Sequence, residues 1–161
     1  METASAARPY VVGVGAANLD IHGRPKKAIV MHDSNPGHMN SSAGGVTRNV
    51  CENLARLGAD VRLVTAVGDD LYAEMIRREC TAAGIDVSQF CTVPGGTSST
   101  YMSILDDHGD MLVAVSDMTV LQEHLTPEYL DGRAELLQNA AIVTCDPCLT
   151  EQTLLHLLDL C

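Results

Sequence analysis

The sequence has few aromatic and few basic side chains. Its 161 residues include one Phe and no Trp, and 10 Lys and Arg stand against 21 Asp and Glu. Nucleic-acid backbones are bound through clustered cations, and single-stranded bases through aromatic side chains. The composition therefore argues against a nucleic-acid partner, and it predicts an aliphatic core.

Long apolar runs and a disulfide framework are missing as well. No segment approaches the roughly 18 uninterrupted apolar residues that a membrane helix needs, so we predict no membrane span. The six cysteines are scattered along the chain rather than spaced as in a small disulfide-rich domain. We interpret them as reduced thiols, which favours a cytoplasmic location.

What the sequence does contain is an alternation of strand-like and helix-like segments. Apolar, β-branched runs at 10–20 and 61–67 predict buried strands, and helical periodicity is found at 46–57 and 71–83. This order predicts a single α/β domain over residues 1–161, with a parallel sheet and helices on both faces.

The segment after Gly44 and Gly45 gives the clearest helix prediction. Gly58 can end this helix in a left-handed conformation, as Gly84 can end the next one. The apolar residues that fall at the spacing of an amphipathic helix are Val46, Val50, Leu54 and Leu57.

Two segments interrupt the α/β pattern. Residues 21–42 hold two prolines and many polar side chains, so we predict a loop with one short strand around Ala28–Met31. Residues 89–117 contain two alternating runs joined by a glycine-containing turn, which predicts an antiparallel hairpin. Together these segments predict a small antiparallel β lid.

The α/β pattern then resumes. A helix is predicted to begin at Pro127, a strand follows around residues 140–144, and a last helix begins after Thr150. Because this helix is strongly apolar and reaches Cys161 without a polar cap, we expect a truncated domain. A small complete domain with a buried last helix is the alternative.

Polar residues follow the first predicted strand. Gly13 and Gly15 resemble part of a dinucleotide fingerprint, but Asn18 replaces the third glycine and no helix can follow, so we reject that site. Asn18 and Asp20 instead place an amide and a carboxylate at the sheet edge, where they can bind sugar hydroxyls. An Asx turn that leaves the strand is the alternative.

A second candidate element is formed by Gly44, Gly45 and Asn49. Paired glycines let a hydroxylated ligand approach the backbone, and Asn49 falls in the first turn of the predicted helix. We expect its amide to face the same cleft as Asp20. A flexible helix entry with a solvated Asn49 is the alternative.

These residues resemble the PfkB (ribokinase-like) family of carbohydrate kinases. The run from Ala43 to Asp70 is similar to the N-terminal motif of that family, and the resemblance extends over nearly all residues from Tyr10 onward. Thr47 and Cys51 depart from it, since the family usually has small residues there. Within the family the chain is most similar to the pseudouridine kinases. The residues that match the motif are Gly44, Gly45, Asn49, Gly58 and Gly68.

The resemblance implies a set of substrate-binding residues. Thr100 or Met102 on the lid would press on the base or ring, and Asp146 would lie at the sugar side of the cleft. The residues that would contact ribose hydroxyls are Asn18, Asp20, Gly44, Gly45 and Asn49.

The resemblance also implies ATP-dependent phosphorylation of a ribosyl hydroxyl, with ATP and Mg²⁺ as cofactors. The family places its catalytic base and its phosphoryl-binding donors in a later GAGD segment, and this sequence contains none. We therefore expect no catalytic residue in this chain, a nucleotide site downstream of Cys161, and no turnover by residues 1–161 alone.

Two other function classes compete with this interpretation. Cys145 and Cys148 form a CxxC between a predicted strand and helix, a context that can lower a thiol pKa for redox chemistry. A thioredoxin-like fold would carry that motif near its start, so two ordinary thiols are favoured. The histidines share no ligand spacing, so no metal site is predicted. The third hypothesis is a binding or assembly fragment, because the lid commonly serves as a homodimer surface in the resembling family.

Overall fold

The computed structural model describes residues 8–161, in which strands alternate with helices. The strands are β1 Tyr10–Val14, β2 Asn18–Pro25, β3 Gly37–Gly44, β4 Asp60–Val67, β5 Ile85–Asp86, β6 Phe90–Thr92, β7 Thr100–Leu105, β8 Met111–Asp117 and β9 Ile142–Cys145. The helices are α1 Val46–Arg56, α2 Leu71–Ala82, α3 Thr119–His124, α4 Pro127–Asp131, α5 Ala134–Gln138 and α6 Glu151–Leu160.

Buried apolar strands form the main sheet. Its order is β5-β4-β1-β9, β6 also pairs with β4, and every one of these pairings is parallel. Side chains alternate between the two faces of the sheet. Val14 and Val64 pack against the helices α3 to α6, whereas Leu63 and Val67 belong to the cluster formed with α1 and α2. The predicted parallel α/β sheet with helices on both faces is thus confirmed.

Most predicted helix ends are confirmed by the backbone. Gly58 and Gly84 adopt φ values of 91° and 85° just beyond α1 and α2, a region that disfavours any residue with a Cβ. Asp70 caps α2 by accepting a hydrogen bond from the Ala73 amide, and Thr150 caps α6 in the same way.

The buried face of α1 differs from the predicted face. Val46, Val50 and Leu57 are 59%, 37% and 84% exposed. The helix instead buries Thr47, Arg48 and Cys51. Spacing alone indicated the period of the helix correctly, but it could not show that Thr47 occupies the inner face, where its hydroxyl donates to Asp146.

The first predicted strand is in fact two strands. The chain turns at Gly15, whose amide donates to the Val64 carbonyl at 3.1 Å, and the next amide, of Ala16, donates to Asp146. Asn18 and Asp20 therefore open β2 instead of closing β1.

The lid is a four-stranded mixed sheet in the order β3-β2-β7-β8. Its β2–β3 and β7–β8 pairs are antiparallel, and its β2–β7 pair is parallel. The prediction of a loop over 21–42 is wrong, because half of this segment belongs to two strands paired from Asn18–Gly44 to Pro25–Gly37. Because β2 is hydrogen-bonded to a neighbouring strand on each edge, these residues form strands despite their polar composition. Ala28–Met31, which was predicted as a strand, lies in the connecting loop.

The second lid segment begins later than predicted. Phe90–Thr92 pairs with β4 in the main sheet, so the lid resumes only at Thr100. The predicted hairpin turn is confirmed, since the Asp106 carboxylate accepts hydrogen bonds from the amides of the next turn residues and Gly109 has φ 100°. Among residues 8–161, no helix is long and apolar enough to cross a membrane.

The helix α2 offers a test of the core. Ile76 is fully buried, so Ile76→Ala should lower the free energy of unfolding by about 2–5 kcal/mol in urea titrations. Leu71, on the same helix but 73% exposed, is the matched control, and Leu71→Ala should change stability by less than about 0.5 kcal/mol. Equal effects of the two substitutions would contradict this packing.

Candidate substrate site

The base of the lid brings Asn18, Asp20 and Gly44 together. Asn18 pairs with Gly44 across β2 and β3, and its amide nitrogen donates to Asp20 Oδ1 at 2.6 Å. A Cβ on Gly44 would overlap the Asp20 carboxylate, so only glycine leaves room for it. Asn18 thereby orients a half-buried carboxylate that keeps free lone pairs with which to accept from a hydroxyl.

The backbone at Gly45 leads from the lid into α1. Its φ of 101° favours glycine, and a Cβ there would collide with the Ala16 carbonyl. The backbone N–H of Asn49 closes the first turn of α1 by donating to the Gly45 carbonyl at 2.9 Å, while the Asn49 side chain is exposed. Asn49 thus lies in the first turn of α1, one helical turn from Gly45, as the sequence predicted.

Asp146 is a buried anchor whose oxygens are occupied by the chain itself. Its Oδ2 accepts hydrogen bonds from the amides of Ala16 and Thr47 and from the Thr47 hydroxyl, at 2.9, 3.1 and 2.6 Å. Its Oδ1 accepts from the Cys148 amide at 2.9 Å. The structure therefore places Asp146 beneath the site, where it holds the segments that carry Gly45 and Asn49.

These hydrogen bonds also set the acidity of Asp146. Burial, the largest single influence, acts to raise its pKa, but the hydrogen bonds from Thr47, Ala16 and Cys148 together outweigh burial and hold the pKa below its usual value of 3.8. Asp146 is therefore ionised at neutral pH.

Thr100 and Met102 lie on the other face of the lid from Asp20. The register pairs Thr100 with Leu19 and Met102 with Ile21, and strand residues alternate between faces. Tyr101 is the β7 residue that pairs with Asp20 and shares its face. The structure therefore does not bring Thr100 and Met102 together with Asp20.

Two further carboxylates anchor the lid to α2, and the sequence did not indicate either contact. Asp70 accepts hydrogen bonds from both the amide and the hydroxyl of Ser98, at 2.8 and 2.7 Å, and Glu79 accepts from the Ala43 amide at 2.9 Å. No local pattern could have pointed to Ser98, which is 28 residues away in the chain.

The CxxC thiols do not have the acidity that redox chemistry needs. Burial and the neighbouring Asp146 carboxylate raise the pKa of Cys145, and the same two influences raise that of Cys148 to about 11. Both cysteines are free thiols. The raised pKa values of both thiols therefore favour the interpretation of two ordinary cysteines.

A separate cavity of about 640 Å³ lies farther out on the lid. Ile29, Val30 and Met31 of the β2–β3 loop line it together with Met39 and Ile104, and Asp20 is not part of its wall. Among residues 8–161, no group of three or more His, Cys, Asp or Glu side chains is arranged to hold a metal ion.

The substitution Asp146→Asn tests the anchor. The side-chain amide nitrogen of the new asparagine would face the backbone and hydroxyl donors that now bind the carboxylate. The free energy of unfolding at pH 7 should therefore fall by roughly 2–4 kcal/mol. Because the native pKa is depressed, this stabilisation is present above about pH 3.8 and is lost as the pH falls through the native pKa. Urea titrations from pH 7 to pH 3 should therefore show the two proteins converging only in acid, and a gap independent of pH would contradict the assignment.

The comparisons with known proteins agree with this architecture. The model of the pfkB family of carbohydrate kinases matches residues 8–159. The chain is 38% identical over 152 residues to the pseudouridine kinase of Escherichia coli K12, covering 94% of this chain and 48% of that protein. It is 41% identical over 145 residues to the uncharacterised sugar kinase YeiI of the same organism, covering 90% and 40%.

Among solved structures, a carbohydrate kinase from Agrobacterium tumefaciens superposes with a TM-score of 0.88 at 28% identity, covering 94% of this chain and 50% of that one. The chain spans about half the length of the curated relatives it matches. With the family model matched over nearly the whole chain, this protein belongs to the pfkB family of carbohydrate kinases.

Proposed function

We propose that this chain carries the substrate-binding half of a kinase that phosphorylates a ribosyl hydroxyl, with pseudouridine as substrate and pseudouridine 5′-phosphate as product. The observation that supports this most strongly is the meeting of Asn18, Asp20 and Gly44 at the base of the lid, one helical turn from Asn49. The likeness to a pseudouridine kinase over 94% of the chain supports the choice of substrate.

The chemistry of these residues suits a hydroxylated guest. A hydroxyl donates one hydrogen bond and accepts others, so the Asp20 carboxylate can accept a hydrogen bond from it, while backbone amides and the side-chain amide of Asn49 can donate to its oxygen. Gly44 leaves room for the Asp20 carboxylate and Gly45 leaves room for the Ala16 carbonyl, so both glycines shape the site in which the sugar would bind. In this proposal the chain binds the hydroxyls of the ribose.

ATP would supply the phosphoryl group, and Mg²⁺ would neutralise its charge. The sequence has no GAGD segment, and residues 8–161 offer no acidic cluster arranged for a metal ion. No step of phosphoryl transfer is therefore assigned to them.

Binding of pseudouridine to the 161-residue chain tests the proposal. Asp20→Asn removes the ionised acceptor, which should weaken binding by roughly ten- to a hundredfold in isothermal titration calorimetry. Asp110→Asn is the matched control, because Asp110 is an exposed carboxylate in the lid turn, and it should leave the affinity unchanged.

Further titrations separate the substrate classes. Pseudouridine should bind more tightly than ribose or fructose, whereas a preference for a free sugar would favour another sugar kinase of the family. Equal affinities of wild type and Asp20→Asn would contradict the site. With ATP and Mg²⁺ added, the chain alone should produce no pseudouridine 5′-phosphate.

We also propose that the lid associates with a second copy of the chain. The face opposite Asp20 exposes apolar side chains on three strands, and Val115 is 70% exposed. The exposed residues on this face are Met39, Met102, Val113 and Val115. A contiguous apolar patch on a lid is typical of an interaction surface.

The assembly is tested by light scattering over a range of protein concentrations. Val115→Lys should shift the mass towards the monomer, because it places a charge in the apolar patch. Leu57→Lys, at an exposed apolar residue beyond the end of α1, is the control and should leave the mass unchanged. A wild-type monomer at all concentrations would contradict the proposal.

A further inference from the structure

The first turn of α1 buries an arginine, which ordinary helix energetics disfavour. The Arg48 side chain is only 7% exposed, and it lies at the end of the helix where the macrodipole is positive. Burying a cation there costs free energy unless partners compensate for it. A residue that violates local rules in this way is expected where function requires it.

The partners of Arg48 show what the side chain does. Its Nη1 pairs with the Glu52 carboxylate one turn further along α1, and it also donates to Asn49 Oδ1 at 3.2 Å. The Arg48 Nε, although buried, has no hydrogen-bond partner among residues 8–161. The guanidinium is thus held by Glu52 and turned towards the amide of Asn49.

A guanidinium has hydrogen-bond donors only, so the side-chain amide of Asn49 can form a hydrogen bond with it only through the amide oxygen. The NH₂ group of Asn49 must then point away from Arg48, and it offers two donors to the exposed side of the helix. Asp20 offers acceptors only. A hydroxyl can satisfy both partners, because it donates to the carboxylate and accepts from the amide.

We propose that Arg48 is a positioning residue that fixes Asn49 as a hydrogen-bond donor to a substrate hydroxyl. This proposal rests on the proposed function for the identity of the substrate. The orientation of Asn49 itself, however, is a property of the free protein and can be measured without any ligand.

The first experiment is therefore ligand-free. The side-chain amide of Asn49 is assigned in ¹H–¹⁵N NMR spectra with the Asn49→Ala variant, and its order is measured by ¹⁵N relaxation. In wild type it should be more ordered than the amide of Asn53, an exposed residue on the same helix. In Arg48→Met it should fall to the level of Asn53, because the guanidinium that holds its oxygen is gone.

Two further variants keep this test decisive. Arg56→Met removes the exposed arginine that also pairs with Glu52, and it should leave the order of Asn49 unchanged. Arg48→Lys retains the charge, which guards against unfolding, but the lysine ammonium ends one bond short of the position of Nη1, the atom that contacts both Glu52 and Asn49. It should also release Asn49. An Asn49 amide that stays ordered in both Arg48 variants would overturn the proposal.

The second experiment is a double-mutant cycle on pseudouridine affinity. Arg48→Met should weaken binding by about tenfold in the wild-type background, but by less than about twofold when Asn49 is already alanine. Additive losses would indicate a general structural role and overturn the proposal. If wild type binds no nucleoside, the proposed function fails, and the NMR measurement still decides the role of Arg48.

Discussion

The candidate site depends on one buried carboxylate. Asp146 joins three segments that are distant in sequence: the turn after β1, the start of α1 and the end of β9. The amides of Ala16 and Thr47 point at the same oxygen, so the position of the helix and that of the turn are fixed relative to each other. The glycine pair and Asn49 take their places from this arrangement.

Similar contacts hold the lid to the main domain. Glu79 fixes the end of β3 through the Ala43 amide, and Asp70 fixes the segment before β7 through Ser98. Each is a charged group that accepts hydrogen bonds from backbone amides, an interaction stronger than one between neutral groups. An acidic chain thus uses some of its carboxylates as internal acceptors where strands pass from the main domain into the lid.

The sequence was informative where structure is local. Gly44, Gly45 and Gly58 correctly indicated where α1 begins and ends, and the glycine between the two alternating runs correctly indicated the hairpin turn. The helix face was not predictable in the same way. The spacing of Val46 and Val50 is helical, but only the packing partners decide that Thr47 and Cys51 face inward.

Long-range pairing explains the remaining differences. The strand β3 is polar, so its composition indicated a loop, and only its pairing with β2 makes it a strand. Strand register cannot be obtained from spacing alone, and a shift of one residue exchanges the faces. For this reason Thr100 or Met102 was expected to press on the base or ring, but both lie on the face opposite Asp20. The role of Asp146 was hidden because its partners are 99 and 130 residues away.

The peptide between Gly44 and Gly45 is the border between two parts of the molecule. Asp20 and Gly44 belong to the projecting sheet, whereas Gly45 caps α1 and Asn49 belongs to that helix of the main domain. A guest that touches both Asp20 and Asn49 therefore bridges the two parts. Its departure would remove that bridge and leave only contacts of the chain itself, such as those of Asp70 and Glu79, to hold the lid in place.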